Sequence, residues 1–280
     1  MTVKAGIVGW PVTHSLSPVL HGYWLKKYGI DGAFEKVGAE PGQFETVIAK
    51  LRDQGFTGVN VTVPHKESAF ALADKVDAAA KAAGAANLLI FGPGHIEGRN
   101  TDTYGLARSL EESIGALKGA AAVLLGAGGA ARGAVLALEA AGAGTIHILN
   151  RDGSRAQNLA AALTPNVNAR LVPGTLTDWK NVAPGAALLV NSTSAGMTGN
   201  PPLDLDLSAL PQSAAVCDIV YKPLETQLLK DAAARGHKTI DGLGMLMHQA
   251  VPSFEAFFGV KPDVTPALRD ALVKALRERS

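Results

Sequence analysis

Apolar runs, some continuous and some alternating with polar residues, recur along this 280-residue chain between Ala-rich stretches with helical spacing. Strand-like runs that alternate with helical stretches are typical of βα units and a parallel sheet. The first part of the chain therefore predicts strands and helices in turn. In chain order these are a strand at Lys4 to Val8, a helix at Pro18 to Tyr28, a strand at Ala33 to Val37, a helix at Pro41 to Gln54 and a strand at Gly58 to Val63.

The next segment predicts a helix and a hairpin. The helical stretch runs from Asp74 to Ala83, and the hairpin joins Asn87 to Phe91 with Ile96 to Asn100 through the turn GPGH. A further helix is predicted from about Thr103 to Leu110. The first part of the chain thus predicts one α/β lobe.

Near Lys118 the pattern starts again with new βα units, and the segment from Leu243 is mostly helical. The predicted strands of this second lobe are Ala121 to Leu125, Thr145 to Leu149, Ala187 to Asn191 and Ala215 to Val220. The pattern predicts an α/β fold with two α/β domains and a C-terminal helical segment.

Composition and charge narrow the class of protein. With 47% hydrophobic residues, 18% charged residues and a net charge of +1, the chain can bury a core and has no basic stripe for nucleic acid or a membrane surface. The single cysteine, Cys217, excludes an intrachain disulfide and fits a reducing compartment. No signal peptide or membrane span is predicted, and the seven histidines show no metal-ligand spacing. We expect a cytoplasmic protein without a metal.

A glycine loop opens the second lobe. The stretch AAVLLGAGGAARGAVLAL predicts a strand, a tight turn and a helix, in which Gly126 and Gly128 let the backbone approach a pyrophosphate and the small Ala131 lets the helix pack on the strand. The helix N-terminus then offers free N–H groups to the phosphates. Dinucleotide binding is the functional interpretation; a merely structural turn is the alternative.

The end of the next strand bears on which dinucleotide binds. The stretch TIHILNRDGSRA places Arg151 at the strand end and Arg155 one turn later, which suits a 2′-phosphate and indicates NADP. Asp152 opposes this, because a carboxylate near that phosphate would repel it. Asp152 can instead cap the next helix. NADP is predicted, and NAD stays open.

Two serines precede a predicted helix start near the N-terminus. Ser15 and Ser17 lie just before Pro18, a residue favoured at the first helical position, and Gly29 is a plausible helix end. Ser17 is then a candidate N-cap. One hydroxyl suffices for a cap, so the two hydroxyls with the helix dipole could also hold a carboxylate.

Lys66 follows the strand of VNVTVPHK, and Asp102 lies in EGRNTDTYG just before a predicted helix. Each has a plain structural interpretation, a solvated lysine and a helix N-terminal charge. If both elements lie in one sheet, the ammonium and the carboxylate could meet. Four histidines near the motifs are interpreted as structural hydrogen-bonding groups, namely His14, His21, His65 and His248.

A family resemblance ties these motifs together. IVGWPVTHSLSPVLH, NVTVPHK, GAANLL, GRNTD, GAGGAARG, NRDGSRA, NSTSAGM, DIVYKPLETQLL and DGLGMLMHQA occur in the order found in shikimate dehydrogenases. The chain resembles this family from Ile7 to Phe258. The resemblance implies NADPH-dependent reduction of 3-dehydroshikimate to shikimate, on the route to chorismate and aromatic amino acids.

The resemblance also implies roles for individual residues. It makes Lys66 and Asp102 the catalytic pair and assigns the substrate to Ser15, Ser17, Thr62, Asn87, Tyr221 and Gln249. It assigns NADP(H) to Gly126, Ala127, Gly128, Gly129, Ala130, Asn150, Arg151, Arg155, Thr193, Ile219 and Gly242. Because Gln249 is in the last segment, residues 240–280 should complete the substrate-binding domain of residues 1–103, with residues 104–239 as the Rossmann-like dinucleotide-binding domain.

Three positions depart from the family pattern: Leu88, Asp152 and Thr103. Only Asp152 bears on the cofactor. Two alternatives stay open, a quinate/shikimate dehydrogenase that uses NAD or NADP and a non-catalytic ligand-sensing relative. The sequence does not settle the oligomeric state, for which a homodimer is one possibility, nor whether Lys66 alone or the pair with Asp102 is the formal acid and base.

Overall fold

The chain folds into two α/β units, each built on a six-stranded sheet, in a computed structural model that describes residues 2–278. One unit consists of Met1–Asp102 together with Leu246–Ser280, and the other is Thr103–Met245. The predicted fold class, with C-terminal helices that belong to the first domain, is confirmed. The domain ranges predicted from the sequence include residues 1, 279 and 280, which lie outside the described residues.

The first part of the chain forms a mixed sheet with the strand order β2-β1-β3-β5-β6-β4. Its strands and helices are β1 (Val3–Gly9), α1 (Ser17–Tyr28), β2 (Gly32–Gly38), α2 (Phe44–Asp53), β3 (Phe56–Val61), α3 (Lys66–Leu72), β4 (Lys75–Val76), α4 (Ala78–Ala83), β5 (Leu88–Gly92) and β6 (His95–Arg99). Strand β1 runs parallel to both β2 and β3, and the predicted hairpin β5–β6 pairs antiparallel to β3. The carboxyl ends of β1 and β3 therefore lie at the same edge of the sheet.

The single helix predicted at Asp74 to Ala83 is wrong. Lys75–Val76 form a short strand that pairs with β6, and the helix starts only at Ala78. The Asp77 carboxylate accepts a hydrogen bond from the Ala80 N–H at 2.6 Å and caps this shorter helix. Pairing across the sheet overrides the local helical preference of the first four residues.

The middle of the chain forms a parallel sheet with the order β12-β11-β10-β7-β8-β9. Its strands and helices are α5 (Asp102–Ile114), β7 (Ala121–Leu125), α6 (Gly129–Ala140), β8 (Thr145–Asn150), α7 (Gly153–Leu163), β9 (Arg170–Thr175), α8 (Trp179–Val182), β10 (Ala186–Asn191), β11 (Ala215–Asp218), α9 (Gln227–Ala234) and β12 (Lys238–Ile240). This is the doubly wound order, in which the chain reverses direction across the sheet between β7 and β10. Ligands of such sheets bind at the carboxyl ends of the strands beside that reversal.

Successive residues of the central strands enter different cores. In β7, Ala122 and Leu124 pack into one buried cluster and Val123 and Leu125 into another. Both faces of this sheet are covered, so its strands are continuous apolar runs instead of alternating ones. A polar residue at the end of such a strand is therefore a candidate for a buried hydrogen-bond network or a binding site.

Two helices close the chain, α10 (Gly242–Phe258) and α11 (Pro266–Arg277). Phe254 of α10 is completely buried, and its ring lies 5.3 Å from that of Trp24 in α1. The Trp24 indole N–H also donates to the Asp263 carbonyl at 3.2 Å. These contacts attach the C-terminal segment to the first unit.

His21 of α1 contradicts its predicted role as a hydrogen-bonding group. Its ring is fully buried and stacked on Phe34 with 3.9 Å between centroids, and neither ring nitrogen has a hydrogen-bond partner within residues 2–278. Burial lowers the pKa of His21 from 6.5 to about 3, so the ring is neutral. His65, in contrast, places Nε2 2.7 Å from the Ala39 carbonyl oxygen, which confirms the structural interpretation there.

Candidate active site

Lys66 and Asp102 are in direct contact in the first unit. Lys66 is the first residue of α3, just after β3, and Asp102 is the first residue of α5. The Lys66 Nζ donates to Asp102 Oδ2 at 2.5 Å, and the two side chains are 11% and 2% exposed. A buried carboxylate therefore holds an ammonium that still reaches the surface.

Asn87 and Gln249 extend this network. The Asn87 Nδ2 donates to Asp102 Oδ1 at 2.9 Å and also lies 3.0 Å from Gln249 Oε1 of α10. The Asn87 orientation is set by its Oδ1, which accepts from the Thr101 N–H at 2.7 Å. The Asp102 backbone N–H in turn donates to Asn100 Oδ1 at 3.1 Å. The network fixes the carboxylate on several sides and leaves two Lys66 N–H groups for a ligand oxygen.

Thr62 and Gln249 present further polar groups in this unit. Both are half-buried, and neither the Thr62 hydroxyl nor the Gln249 Nε2 has a hydrogen-bond partner in the part of the chain that the structure describes. Thr62 follows β3 and packs closely on the end of β1, where a Cβ at Gly9 would clash with its Cγ2. Glycine at position 9 is what permits this approach.

Ser15 and Ser17 lie together at the start of α1, and both are buried. The helix starts at Ser17 and its cap position is Leu16, so the interpretation of Ser17 as an N-cap is wrong. Ser15 takes that role in part, since its Oγ accepts from the Ser17 N–H at 3.2 Å and donates to Ser17 Oγ at 3.2 Å. The Ser17 hydroxyl hydrogen stays available for an acceptor such as a carboxylate.

The glycine loop of the second unit has the shape that a pyrophosphate needs. Gly126 has a φ of +106°, and a Cβ there would lie 2.9 Å from Ser192 Oγ. Gly128 caps α6, and a Cβ at this position would meet nothing within 4 Å. Open space therefore faces the N-terminus of α6, beside the half-buried Ala127, Gly129 and Ala130. This arrangement fits the phosphates of a dinucleotide.

The end of β8 carries the residues expected at the adenosine ribose. Arg151 and Arg155 are exposed, and the Asn150 Nδ2 donates to the Asp152 carbonyl oxygen at 3.0 Å. Asp152 Oδ1 accepts from the Ser154 N–H at 2.9 Å and from its hydroxyl at 2.6 Å. The hydrogen bonds from Ser154 lower the pKa of Asp152. The interpretation of Asp152 as a helix cap is confirmed.

Thr193, Ile219 and Gly242 lie near the carboxyl ends of β10, β11 and β12. The Thr193 hydroxyl donates to Asn191 Oδ1 at 2.7 Å. A Cβ at Gly242 would clash with the Ile219 carbonyl oxygen, so glycine allows α10 to start against that backbone. Tyr221 is half-buried in the same unit, three residues after the end of β11. The second unit therefore contains all the residues expected at the cofactor.

Sequence reasoning missed a buried polar network under these loops. Asp218, at the end of β11, is fully buried and accepts from Asn191 Nδ2 at 3.0 Å, from the Val220 N–H at 3.0 Å and from the Thr226 hydroxyl at 2.7 Å. Burial, the larger effect, raises the pKa of Asp218, and the three donors oppose it. The available signal was a polar residue that ends an apolar strand, as in ALLVN and AAVCD.

The described residues contain neither a metal-binding cluster nor a membrane-spanning helix. Within residues 2–278 no group of three or more His, Cys, Asp or Glu side chains is placed to hold a metal ion. None of the helices in this range combines the length and the hydrophobicity that a bilayer span requires.

Family models match three parts of the chain. The shikimate dehydrogenase substrate binding domain matches residues 7–89, shikimate / quinate 5-dehydrogenase matches residues 108–198, and the shikimate 5'-dehydrogenase C-terminal domain matches residues 242–272. The three matched ranges follow the order of the motifs along the chain.

Individual relatives agree with these models. The shikimate dehydrogenase (NADP(+)) of Methylobacterium radiotolerans is 50% identical over 280 residues, which cover 98% of each chain. Quinate dehydrogenase from Corynebacterium glutamicum, solved with NAD, is 32% identical, with a TM-score of 0.89 over 98% of this chain and 99% of that chain. Shikimate 5-dehydrogenase from Thermus thermophilus, solved with NADP(H) and shikimate, is 33% identical, with a TM-score of 0.85 over 99% of each chain. This chain belongs to the shikimate dehydrogenase family.

Proposed function

We propose that this protein catalyses the reversible, NADPH-dependent reduction of 3-dehydroshikimate to shikimate in the biosynthesis of chorismate and aromatic amino acids. The observation that carries this proposal is the buried contact between Lys66 and Asp102, within a chain whose relative at 50% identity bears the name of this activity. An ammonium fixed by a buried carboxylate is a suitable proton donor for a ketone that becomes an alcohol.

Lys66 supplies the proton and the positive charge. When bound, NADPH supplies a hydride to the ketone carbon. The Lys66 ammonium then stabilises the negative charge that develops on the ketone oxygen and donates a proton to it. In the oxidation of shikimate the neutral amine takes that proton back. Asp102 orients the amine throughout, since its carboxylate is held on both oxygens by Lys66 and Asn87.

The other polar side chains of the first unit bind and orient the substrate. Ser15 and Ser17 hold the carboxylate, because their hydroxyls lie together at the start of α1. Thr62, Asn87 and Gln249 contact the ring hydroxyls. The Thr62 hydroxyl and Gln249 Nε2, which have no hydrogen-bond partner among residues 2–278, support these assignments. Fixing both ends of a small ring presents its ketone in one orientation, which lowers the entropic part of the barrier. Tyr221 stays a predicted substrate contact.

The second unit binds NADP(H). Residues 126–130 hold the pyrophosphate at the N-terminus of α6, and Arg151 and Arg155 pair with the 2′-phosphate, with Asn150 beside them. The capping role of Asp152 is compatible with this choice, because two hydrogen bonds from Ser154 hold its Oδ1 at the start of α7. Thr193, Ile219 and Gly242 hold the opposite half of the dinucleotide. The first unit is then the substrate-binding domain and the second the dinucleotide-binding domain.

The setting of the reaction is a further proposal. The only cysteine, Cys217, is free and buried. A chain without a disulfide suits the reducing cytoplasm, where we place the reaction. The oligomeric state, for which a homodimer is one possibility, is measured by light scattering on the purified protein.

A quinate dehydrogenase that uses NAD is the second candidate. The specific observations in its favour are the likeness to a quinate dehydrogenase solved with NAD and the carboxylate of Asp152 between two arginines. Under this candidate the enzyme would oxidise quinate or shikimate in catabolism.

Absorbance at the nicotinamide band, recorded with shikimate or quinate and with NADP⁺ or NAD⁺, separates these candidates. We expect fast turnover only with shikimate and NADP⁺. Comparable turnover with NAD⁺ or quinate would favour the second candidate. No turnover with any of the four combinations would refute both and support a ligand-sensing relative.

A further inference from the structure

Asp218 is a buried carboxylate with no cationic partner among residues 2–278. It ends β11, in the middle of the parallel half-sheet β10-β11-β12. The Thr226 hydroxyl that donates to it is the N-cap of α9, so the positive end of that helix dipole also faces the carboxylate. Neutral donors and a helix dipole stabilise Asp218, and they leave its full negative charge in place.

The hydrogen bonds around Asp218 suit its ionised form. Thr193 donates to Asn191 Oδ1 through both its N–H and its hydroxyl, and this fixes the amide so that Nδ2 points to Asp218. The Thr226 hydroxyl accepts from the Leu229 N–H and donates its own hydrogen to Asp218 Oδ2. The Val220 N–H can only donate. All three partners are donors, as an unprotonated carboxylate requires.

The sheet order shows which half of a dinucleotide lies above Asp218. The pyrophosphate site is at β7, and the arginines expected at the 2′-phosphate are at the end of β8, on one side of it. A dinucleotide bound across the carboxyl ends of a doubly wound sheet extends to both sides of the chain reversal. The nicotinamide half is then left with the ends of β10 and β11, where Asp218 lies. This step rests on the proposed function.

We propose that Asp218 is a positioning residue that makes the protein bind the oxidised nicotinamide, whose ring carries a positive charge, in preference to the neutral reduced ring. A fixed negative charge in a weakly screened interior stabilises a nearby cation. By linkage, tighter binding of the oxidised form makes the bound reduced form a stronger hydride donor. Asp218 thus favours reduction of the ketone without contacting the substrate. It also helps to position Thr193, because Asn191 donates to Asp218 and accepts from the Thr193 N–H.

The test compares the dissociation constants for NADP⁺ and NADPH, measured by calorimetry on the wild type, on Asp218→Asn and on Thr226→Val. Asp218→Asn removes the charge, whereas Thr226→Val removes one donor, and all titrations are run at pH 8 so that the carboxylate of Thr226→Val stays ionised. We expect the ratio Kd(NADP⁺)/Kd(NADPH) to rise on the order of tenfold in Asp218→Asn, as for one unit charge acting over about 10 Å at an effective dielectric constant of about 20. Thr226→Val should leave the ratio within about twofold of wild type, even if both constants rise.

An unchanged ratio in an Asp218→Asn protein that binds both forms would overturn the inference. An equal change in Thr226→Val would do the same, because loop geometry and not charge would then be the cause. If Asp218→Asn does not fold, Asp218→Ser, a smaller neutral residue whose hydroxyl can still accept from Thr226, is measured by the same ratio. Failure of the wild type to bind either form would instead contradict the proposed function.

Discussion

Asp102 and Asp218 are both buried carboxylates, and the two units of the molecule stabilise them in different ways. Asp102 in the first unit is paired with the ammonium of Lys66, while Asp218 in the second unit accepts only from neutral donors among residues 2–278. Burial of a charge is costly unless it is paired or fully hydrogen-bonded, and each carboxylate satisfies one of these conditions. The partner of each carboxylate therefore determines its role. A titratable cation can exchange a proton with a substrate, whereas fixed donors can only hold a charge in place.

The largest expected effect comes from removing the cation of the first unit. Lys66→Ala should lower kcat by about 10²–10⁴-fold with a smaller effect on KM, because the proton donor is lost while the substrate contacts remain. Initial rates with shikimate and NADP⁺ measure this.

Lys66→Arg is the matched variant for this prediction. It keeps a cation beside Asp102 that cannot be deprotonated. We expect it to recover thermal stability lost in Lys66→Ala but not turnover. Recovery of turnover in Lys66→Arg would mean that Lys66 acts by charge alone.

His21 differs from both carboxylates, because this buried ring has no hydrogen-bond partner among the described residues. Its ring takes up a proton near pH 6.5 when unfolded and only near pH 3 when folded. The unfolded state therefore binds more protons as the pH falls below 6.5, and the stability present above that pH is progressively lost. The loss from this residue should be about 2 kcal/mol between pH 6.5 and 5.

Urea unfolding at a series of pH values measures this contribution. His21→Leu should show a shallower decline of the unfolding free energy below pH 6.5 than the wild type. His14→Ala, a change at an exposed histidine, is the control and should leave the decline unaltered. A wild-type slope that persists in His21→Leu would exclude His21 as its source.

Two glycines of the second unit are expected to have different roles, one in the stability of the fold and one in NADP⁺ binding. Gly126→Ala should destabilise the fold by about 1–3 kcal/mol, because φ is +106° and the new Cβ would press on Ser192.

Gly128→Ala should leave the free energy of unfolding within about 0.5 kcal/mol of wild type yet weaken NADP⁺ binding by about tenfold or more, since its Cβ would occupy the open space at the start of α6. Thermal unfolding and calorimetric titration, run on both variants, distinguish the two. Equal NADP⁺ affinity in Gly128→Ala and wild type would argue against a pyrophosphate there.

The smallest expected effect concerns the serines of the first unit. Ser15→Ala should raise KM for shikimate by about five- to tenfold with little change in kcat, because its contact is made equally in the ground and transition states. Ser68→Ala, at an exposed serine of α3, is the control and should match wild type. An unchanged KM in Ser15→Ala would remove Ser15 from the carboxylate site.

Much of the fold could be predicted from local patterns, and the errors have a common cause. Both bounds of strand β7, Ala121 and Leu125, are predicted correctly, because a continuous apolar strand followed by a glycine turn is a local signal. The helix predicted at Asp74 failed because Lys75–Val76 find a partner in β6, far along the chain. Ser17 was misplaced as a cap because the acceptor for its N–H is the side chain of Ser15.

Local patterns predict the two α/β lobes and the glycine turn and favour the Asp152 cap, and the order of the motifs indicates the family. These depend on periodicity, on backbone conformations that few residues adopt and on contacts between near neighbours. The folded chain is needed to show that Lys66 contacts Asp102 across 36 residues, that Asn87 contacts Gln249 across 162, and that Asp218 is buried among neutral donors. Such contacts depend on the packing of elements that are distant in sequence. Whether a charged side chain is paired or buried depends on the residues packed around it, and its own residue type does not reveal this.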